Sequence, residues 1–463
     1  MGALGGAPRE SLDGTPTSGR ARPGARRGVV EIVLGTVVGQ GVIVAGAPVL
    51  SRLYAPADFA LLQLFTGVVA IGAVLASLRL ELAIPLAQDL RETRAVVRVG
   101  LLSSVVIAGV LGIAGYATSP WWARGETLRG LRAMWWLVPL TIAVLAMFQL
   151  VSAVLIRAER YRDLAGRNAA QGLGTAAAQL SFGFAGVRPL GLLLGLGIGR
   201  ILGLVSVVGR QPLFGGPKRG TERPDTERPD TERPDTERPD TERPDDERLT
   251  IADLRAALHR FRQFPAVTTW SALLNSSAQW APAFVFPATF GATPAGWLAF
   301  TMRLLTLPAT VVGQSVAQVF LGRGAAAQRA DSGQLPRLTW LAVRRLFVVG
   351  VGPALLLAVA GPWAFGWVFG STWEQSGVYA RILAAAFLLQ FVASPIGNVF
   401  NLAGRQGVAL VWDACRLVLV VAVPTLVWAL GGSDVLGVTA YSGVLVFSYA
   451  GVLGLAWWVL RRA

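Results

Sequence analysis

Five arginines stand inside or at the edges of long apolar runs: Arg79, Arg200, Arg303, Arg381 and Arg416. A guanidinium stays charged at physiological pH and grips phosphate oxygens two at a time, so arginines in such places suit a phosphate-bearing anion. The five are not equivalent. Arg79 and Arg200 lie near the ends of their runs, where a long side chain snorkels to the interface. Arg303 and Arg381 fall toward the outer halves of theirs, and the choice there is between a ligand and a structural partner, an acid or helix carbonyls. Arg416 follows Asp413 by three residues, which places both on one helical face and predicts a neutralised pair. Arg79 and Glu81 are two apart, on different faces of a continuous helix, so no direct pair between them is expected.

The acids Glu31, Glu81 and Asp413 are the candidates for coupling to protons or sodium, because carboxylates inside spans can change charge as a carrier cycles. Glu31 lies close enough to the end of its run to be simply interfacial. The amides Gln40, Asn275, Gln279, Gln314, Gln318, Asn398 and Asn401 can donate to and accept from sugar hydroxyls. Joining helices is their commoner role. Catalysis has little to work with. Asp58, Glu126, Glu374 and Asp434 are scattered singly in short outer loops, and no nucleophile, metal cluster or phosphate loop is present, so neither an enzyme nor a cofactor is expected. His259, the sole histidine, sits in a basic amphipathic stretch from Arg255 to Arg262 that reads as interfacial, in contact with anionic lipid heads or, as the alternative, with a diphosphate on entry. Cys415 is the lone cysteine, which excludes an intramolecular disulfide and reads as a packing residue.

The elements that must hold these residues are transmembrane helices. Of 463 residues 53% are hydrophobic and 15% charged, more apolar side chain than one soluble core needs. A bilayer core of roughly 30 Å needs about 20 apolar residues per helix. Runs of that length recur at 29–53, 57–84, 97–118, 132–156, 164–185, 189–210, 264–289, 295–321, 338–360, 375–400, 406–430 and 436–460. The expected fold is therefore an all-α polytopic membrane protein of about 12 transmembrane helices. The net charge of +15 does not imply nucleic acid as a partner, because the cations sit in the gaps between spans. Arginine clusters such as Arg91, Arg94 and Arg98, or Arg157, Arg160, Arg162 and Arg167, fall in alternate gaps, which predicts that both termini are cytoplasmic. Fifteen tryptophans, among them Trp121-Trp122, Trp135-Trp136 and Trp457-Trp458, fall mostly at span ends, as an interfacial belt does.

Residues 1–28 have no apolar period and read as a disordered cytoplasmic tail. Thr-Glu-Arg-Pro-Asp is repeated five times from Thr221 to Asp245. A proline every fifth residue denies helix hydrogen bonds and nothing apolar is there to bury, so 211–250 reads as a disordered cytoplasmic linker. It separates two six-helix halves, 29–210 and 251–463. The halves echo each other: Ala55-Pro56-Ala57-Asp58-Phe59 precedes span two and Thr293-Pro294-Ala295-Gly296-Trp297 precedes span eight. Halves of like orientation imply two bundles related by a pseudo-twofold axis along the membrane normal, with a substrate cavity between them.

Several fragments resemble a known family. They are Pro48-Val49-Leu50-Ser51-Arg52-Leu53-Tyr54 with Asp58-Phe59, Leu78-Arg79-Leu80-Glu81-Leu82-Ala83-Ile84, Phe261-Arg262-Gln263-Phe264-Pro265, Arg303-Leu304-Leu305-Thr306-Leu307-Pro308 running to Gln314-Ser315-Val316-Ala317-Gln318-Val319-Phe320, and Trp373 with Gly377, Tyr379, Leu383, Ser394-Pro395 and Gly404-Arg405-Gln406. In this order they resemble the Wzx-type polysaccharide and lipid-linked oligosaccharide flippases of the multidrug/oligosaccharidyl-lipid/polysaccharide exporter superfamily. The resemblance implies transport of an undecaprenyl-diphosphate-linked oligosaccharide from the inner to the outer leaflet by alternating access. It leaves open the sugar, the coupling ion and any partner polymerase or export complex. A drug or metabolite exporter of the same superfamily is the alternative, and a membrane glycosyltransferase or polymerase acting on lipid-linked sugars a more distant one. Lys218 is the only lysine, and the excess of Arg, Ala, Gly and Val looks like a GC-rich bacterial coding bias, which points to a bacterial plasma membrane.

Overall fold

Long apolar runs without interior charge favour helices in lipid, because only there are all backbone polar groups satisfied within the segment. The computed structural model describes residues 23–208, 249–306, 335–396 and 406–462. They form twelve long helices. The first half contains α1 (Pro23–Leu53), α2 (Pro56–Ser77), α3 (Leu90–Ala117), α4 (Leu137–Arg157), α5 (Tyr161–Phe184) and α6 (Leu190–Val208). The second contains α7 (Thr269–Thr289), α8 (described over 292–306), α9 (Leu335–Phe369), α10 (Glu374–Ile396), α11 (Gln406–Ala429) and α12 (Asp434–Arg462). Among the described residues nine of these are long and apolar enough to cross a membrane on length and composition alone. The rest, α5, α7 and the described part of α8, complete the set of twelve, arranged as two bundles. The end bearing the α1–α2 turn is called outer, following the arginine distribution.

Several boundaries differ from expectation for local reasons. Helix α1 begins at Pro23, six residues before the expected start at Val29, because proline suits a first helical turn whose N–H would have no partner. Helix α9 runs without a break through Pro353 and Pro362 and reaches Phe369. The fourth run does not begin at Arg132: a separate short helix, Glu126–Ala133, precedes α4. Helix α2 stops at Ser77 rather than Ile84, since Leu78 and Arg79 take left-handed φ of 50° and 57° and two 3₁₀ turns, Leu80–Leu82 and Ile84–Leu86, follow. Cys415 is exposed rather than packed. The repeats from Thr221 to Asp245 lie outside the described residues.

Glycine makes the α1–α5–α6 group tight. A Cβ on Gly172 of α5 would stand 2.2 Å from the carbonyl oxygen of Gly39 on α1, so only glycine permits that approach. Small residues at helix contacts allow close backbone packing in lipid, and this is why the glycine-rich fifth and sixth runs form regular helices.

The halves meet at the outer end. Phe59 of α2, Phe300 of α8 and Trp373 in the α9–α10 turn form an aromatic cluster with centroid separations of 5.1, 5.2 and 4.2 Å. Trp373 Nε1 donates to the carbonyl of Ser51 at 2.8 Å, and Ser51 Oγ donates to the carbonyl of Phe369 at 3.0 Å. Trp373 is 1% exposed, so this tryptophan seals a junction between the halves rather than sitting in the interfacial belt. At the opposite end the amphipathic helix Ile251–Arg260, which leads toward α7, docks on the first half. Ala257, Phe261 and Phe264 pack with Leu80, Ile84, Val96 and Val154. Ion pairs Arg91–Asp253 at 3.0 Å and Arg260–Glu92 at 2.9 Å fix its register.

Candidate functional site

Beneath the aromatic cluster lies a cavity of about 460 Å³ between the halves. The first half lines it with Gln40 from α1, Gln63 and Thr66 from α2, and Gln171 and Thr175 from α5. The second half adds Gln279 and Trp280 from α7, Arg303 and Thr306 from α8, and Gln390 and Ser394 from α10. Helical spacing explains the layering. Arg303 is one turn inward from Phe300 and Gln63 one turn inward from Phe59, so the residues that close the outer end stand directly above those that line the space.

Among the described residues, Arg303 is the one charged residue in this lining, which holds five glutamines and no carboxylate. Its Nη2 donates to Gln179 Oε1 at 3.1 Å, and its guanidinium lies 6.0 Å from the Phe59 ring centroid. Its Nη1 is buried with no hydrogen-bond partner. Gln179, fully buried on α5, is itself fixed: its Nε2 donates to the carbonyl of Leu192 at 2.9 Å, and its own backbone carbonyl accepts from Tyr54 Oη at 2.8 Å. The cation is thus held from the opposite half by one amide, with a second donor left for a ligand. A buried donor without a partner is costly, so an anion or a hydroxyl that satisfies it binds favourably.

The other expected site residues are spread over the molecule. Gln40 and Gln279 line the cavity. Asn275, one turn from Gln279 on the same face of α7, is exposed and does not line it. Arg381 is exposed on α10 and reaches only the carbonyl of Val359 on α9 at 3.5 Å, so of its two expected alternatives the helix-carbonyl contact is present. Arg200 bonds within its own helix, to the carbonyl of Leu196 at 3.4 Å. Arg416 lies over the Tyr449 ring, 5.4 Å from its centroid, and its Nε has no partner. The aromatic face, rather than a closed pair with Asp413, holds this guanidinium. Glu31 is tied to Arg162 at 3.1 Å near the inner ends of α1 and α5. Gln314, Gln318, Asn398 and Asn401 lie outside the described residues.

A further expectation is overturned at the inner end. Arg79 and Glu81 do pair, at 3.2 Å. The helix-face argument fails because α2 has already ended, and the left-handed turn at Leu78-Arg79 folds the chain back so that residues two apart meet. Glu81 is therefore engaged at the inner end, 9% exposed, and not in the cavity.

Four lining glutamines or their supports escape a sequence reading: Gln63, Gln171, Gln390 and Gln179. The first and third stand in apolar runs and were visible as isolated amides. Gln171 and Gln179 lie in a run already rich in Arg, Asn, Gln and Gly, where another amide gives no contrast. Arg167 misleads in the opposite sense. Its sequence position suggests a cytoplasmic cation, yet it is 3% exposed, with Nη1 donating to the carbonyl of Phe148 at 3.0 Å and to Ser152 Oγ, and Nη2 donating to Asn168 Oδ1 at 3.0 Å. Its role is to join α4 and α5.

No family profile matches the sequence, and no curated protein resembles it at sequence level. Solved structures do. An inward-facing multidrug resistance MATE family transporter of the MOP superfamily superposes with a TM-score of 0.69 at 13% identity, over 94% of this chain and 99% of that one. The lipid II flippase MurJ, in an inward closed conformation, gives 0.65 at 10% identity over 93% and 87% of the two chains. The chain has the MOP-superfamily fold. A mutant of the Vibrio cholerae MATE transporter VcmN matches at 0.59 and 14% identity over 95% and 97%. Among these neighbours are both MATE transporters and the lipid II flippase MurJ.

Proposed function

We propose that this protein is a flippase that moves an undecaprenyl-diphosphate-linked oligosaccharide from the inner to the outer leaflet of a bacterial plasma membrane, by alternating access, during polysaccharide or O-antigen synthesis. One observation carries the reading: among the described residues, the space between the halves is lined by one arginine and five glutamines, without a carboxylate. Organic cations, the usual cargo of a multidrug exporter, would find no counter-charge there. A diphosphate would find a guanidinium with a free donor, and sugar hydroxyls would find amides that both donate and accept. The flippase among the structural neighbours makes lipid-linked cargo compatible with the fold. The partners of this reading are the lipid-linked oligosaccharide, membrane lipids and a polysaccharide polymerase or export complex, with both termini cytoplasmic. Coupling would fall to Asp413, since Glu81 and Glu31 are engaged by arginines.

The test is transfer of a labelled undecaprenyl-diphosphate oligosaccharide between leaflets of proteoliposomes. Wild type and Arg381→Ala transfer it and Arg303→Ala fails. Transfer intact in Arg303→Ala would move the anion site elsewhere. Failure of wild type with lipid-linked sugars, together with export of an organic anion, would establish the exporter alternative.

A further inference from the structure

A groove of about 1030 Å³, larger than the central cavity, lies at the outer end of α3 and α4, on the lipid-facing side of the first half. Its floor is apolar, made by Gly109, Gly112 and Ile113 of α3 and Pro139 of α4. A Cβ at Gly109 would meet nothing within 4 Å, so the missing side chain widens the groove instead of admitting a neighbouring helix. Its upper rim carries Arg129 and Arg132 from the short helix Glu126–Ala133, with Tyr116 and Trp136 beside them.

The short helix explains why both cations face this groove. Thr127 and Leu131 are its buried residues, and Gly130 sits against Leu61 of α2, so the helix lies with that side on the bundle. Arg129 and Arg132, three residues apart, share the opposite side, and both are exposed. Neither forms an ion pair among the described residues. Arg129 spends only its Nε, on the carbonyl of Gly125 at 3.2 Å, and Glu126, one turn earlier, pairs with neither arginine. Among the described residues no carboxylate lines the groove. Two unneutralised guanidinium groups thus stand at the level of an aromatic girdle, above a slot that continues into the hydrocarbon layer.

We infer that this groove is a binding site for an anionic glycerophospholipid, with its phosphate held by Arg129 and Arg132 and one acyl chain laid along Gly109, Gly112, Ile113 and Pro139. The fork geometry of arginine matches phosphate oxygens, an apolar floor matches an acyl chain, and the net double positive charge selects an anionic over a zwitterionic headgroup. The site is separate from the central cavity, and the inference stands whichever cargo that cavity carries.

The experiment is native mass spectrometry of the full chain in detergent, titrated separately with phosphatidylglycerol and phosphatidylethanolamine. Wild type retains phosphatidylglycerol as the preferred adduct, and Arg129→Gln/Arg132→Gln weakens that adduct about thirtyfold, on the scale of two cations near an anionic head. Arg129→Lys/Arg132→Lys keeps the charge and recovers part of the loss. Both positions are exposed, so the variants fold, and an unchanged elution profile and thermal transition verify it. Equal retention of phosphatidylglycerol by wild type and the glutamine variant, or equal retention of the two lipids by wild type, overturns the inference.

Discussion

Gly296 lies against the carbonyl of Pro56: a Cβ at Gly296 would stand 1.8 Å from that oxygen. These residues belong to the two echoing segments, one at the start of each half's second helix. What reads along the chain as a faint internal repeat is, in space, the place where the halves touch. The adjoining Phe59, Phe300 and Trp373 complete an outer seal, so the contact closes the cavity from that side.

Gly296→Ala is expected to open this seal. The obstacle is backbone, which cannot rotate aside, and overpacking of this kind costs about 1–3 kcal/mol. Borne by the sealed state alone, that is a shift of roughly 5- to 150-fold toward an outward-open form. In a Cys415→Ser background, Gln63→Cys reports on it through its rate of reaction with a membrane-impermeant maleimide added from the outer face. Gly296→Ala accelerates the reaction; an unchanged rate would mean that the seal absorbs the methyl group.

Gln179 is expected to matter for stability as well as for transport. Its side chain bonds Arg303 Nη2 and the carbonyl of Leu192, and Gln179→Ala would leave the buried Arg303 Nη2 without this partner and the Leu192 carbonyl with its helix bond alone. An unsatisfied buried group costs about 1–3 kcal/mol. Tyr54→Phe removes only the hydroxyl that caps the Gln179 carbonyl and should cost about 1 kcal/mol. Thermal unfolding in detergent should therefore rank Gln179→Ala well below Tyr54→Phe, and a reversed order would show that the amide is not the keystone of this network.

Arg167 and Arg381 should behave oppositely, although the sequence makes Arg381 the more functional of the two. Arg167 is enclosed, stacked 3.8 Å above the Phe148 ring, and bonded to α4 and to Asn168. Arg167→Ala is expected to destabilise by about 3 kcal/mol or more through lost packing and freed polar groups. Arg381→Ala, exposed and touching one distant carbonyl, should stay within about 0.5 kcal/mol. Folded yield and melting temperature of the two variants decide this directly, and similar losses would contradict the assignment.

The contrast marks what a sequence can carry in this fold. Spans are legible because hydropathy accumulates locally over about 20 residues, and among the described residues nine of the twelve helices pass on length and composition alone. The helix that ends early at Ser77 is not legible, since neither Leu78 nor Arg79 is a glycine, asparagine or proline that would announce a left-handed turn. Arg303 and Arg381 are indistinguishable as letters, each a cation in an apolar run. What separates them is the rotation of α8 and α10 about their axes, which is set by contacts with helices far away in sequence, such as Thr301 Oγ donating to the carbonyl of Ser376 at 2.8 Å. Depth in the membrane is a local property, whereas the choice between lipid and cavity is a tertiary one.

The docked helix Ile251–Arg260 should release in acid. Asp253 is held below its ordinary value of 3.8, first by the hydrogen bonds from the backbone N–H and hydroxyl of Thr250 and then by Arg91. A carboxyl whose folded pKa is depressed adds stability that is fully present above its unfolded pKa and is lost as pH falls through the folded one. The helix should thus stay docked from neutral pH down to about 4 and loosen below it. Amide hydrogen exchange over 251–260, corrected for intrinsic rates, should accelerate in that window. Asp253→Ala removes the carboxylate half of the capping box and a partner of Arg91, so its exchange should already be fast at neutral pH and change little on acidification. High salt should mimic only the part owed to the exposed Arg91–Asp253 and Arg260–Glu92 pairs, because the hydrogen bonds to Thr250 are not screened. Protection unchanged from pH 7 to pH 3 would mean that the apolar contacts of Ala257, Phe261 and Phe264 dock this helix without help from Asp253.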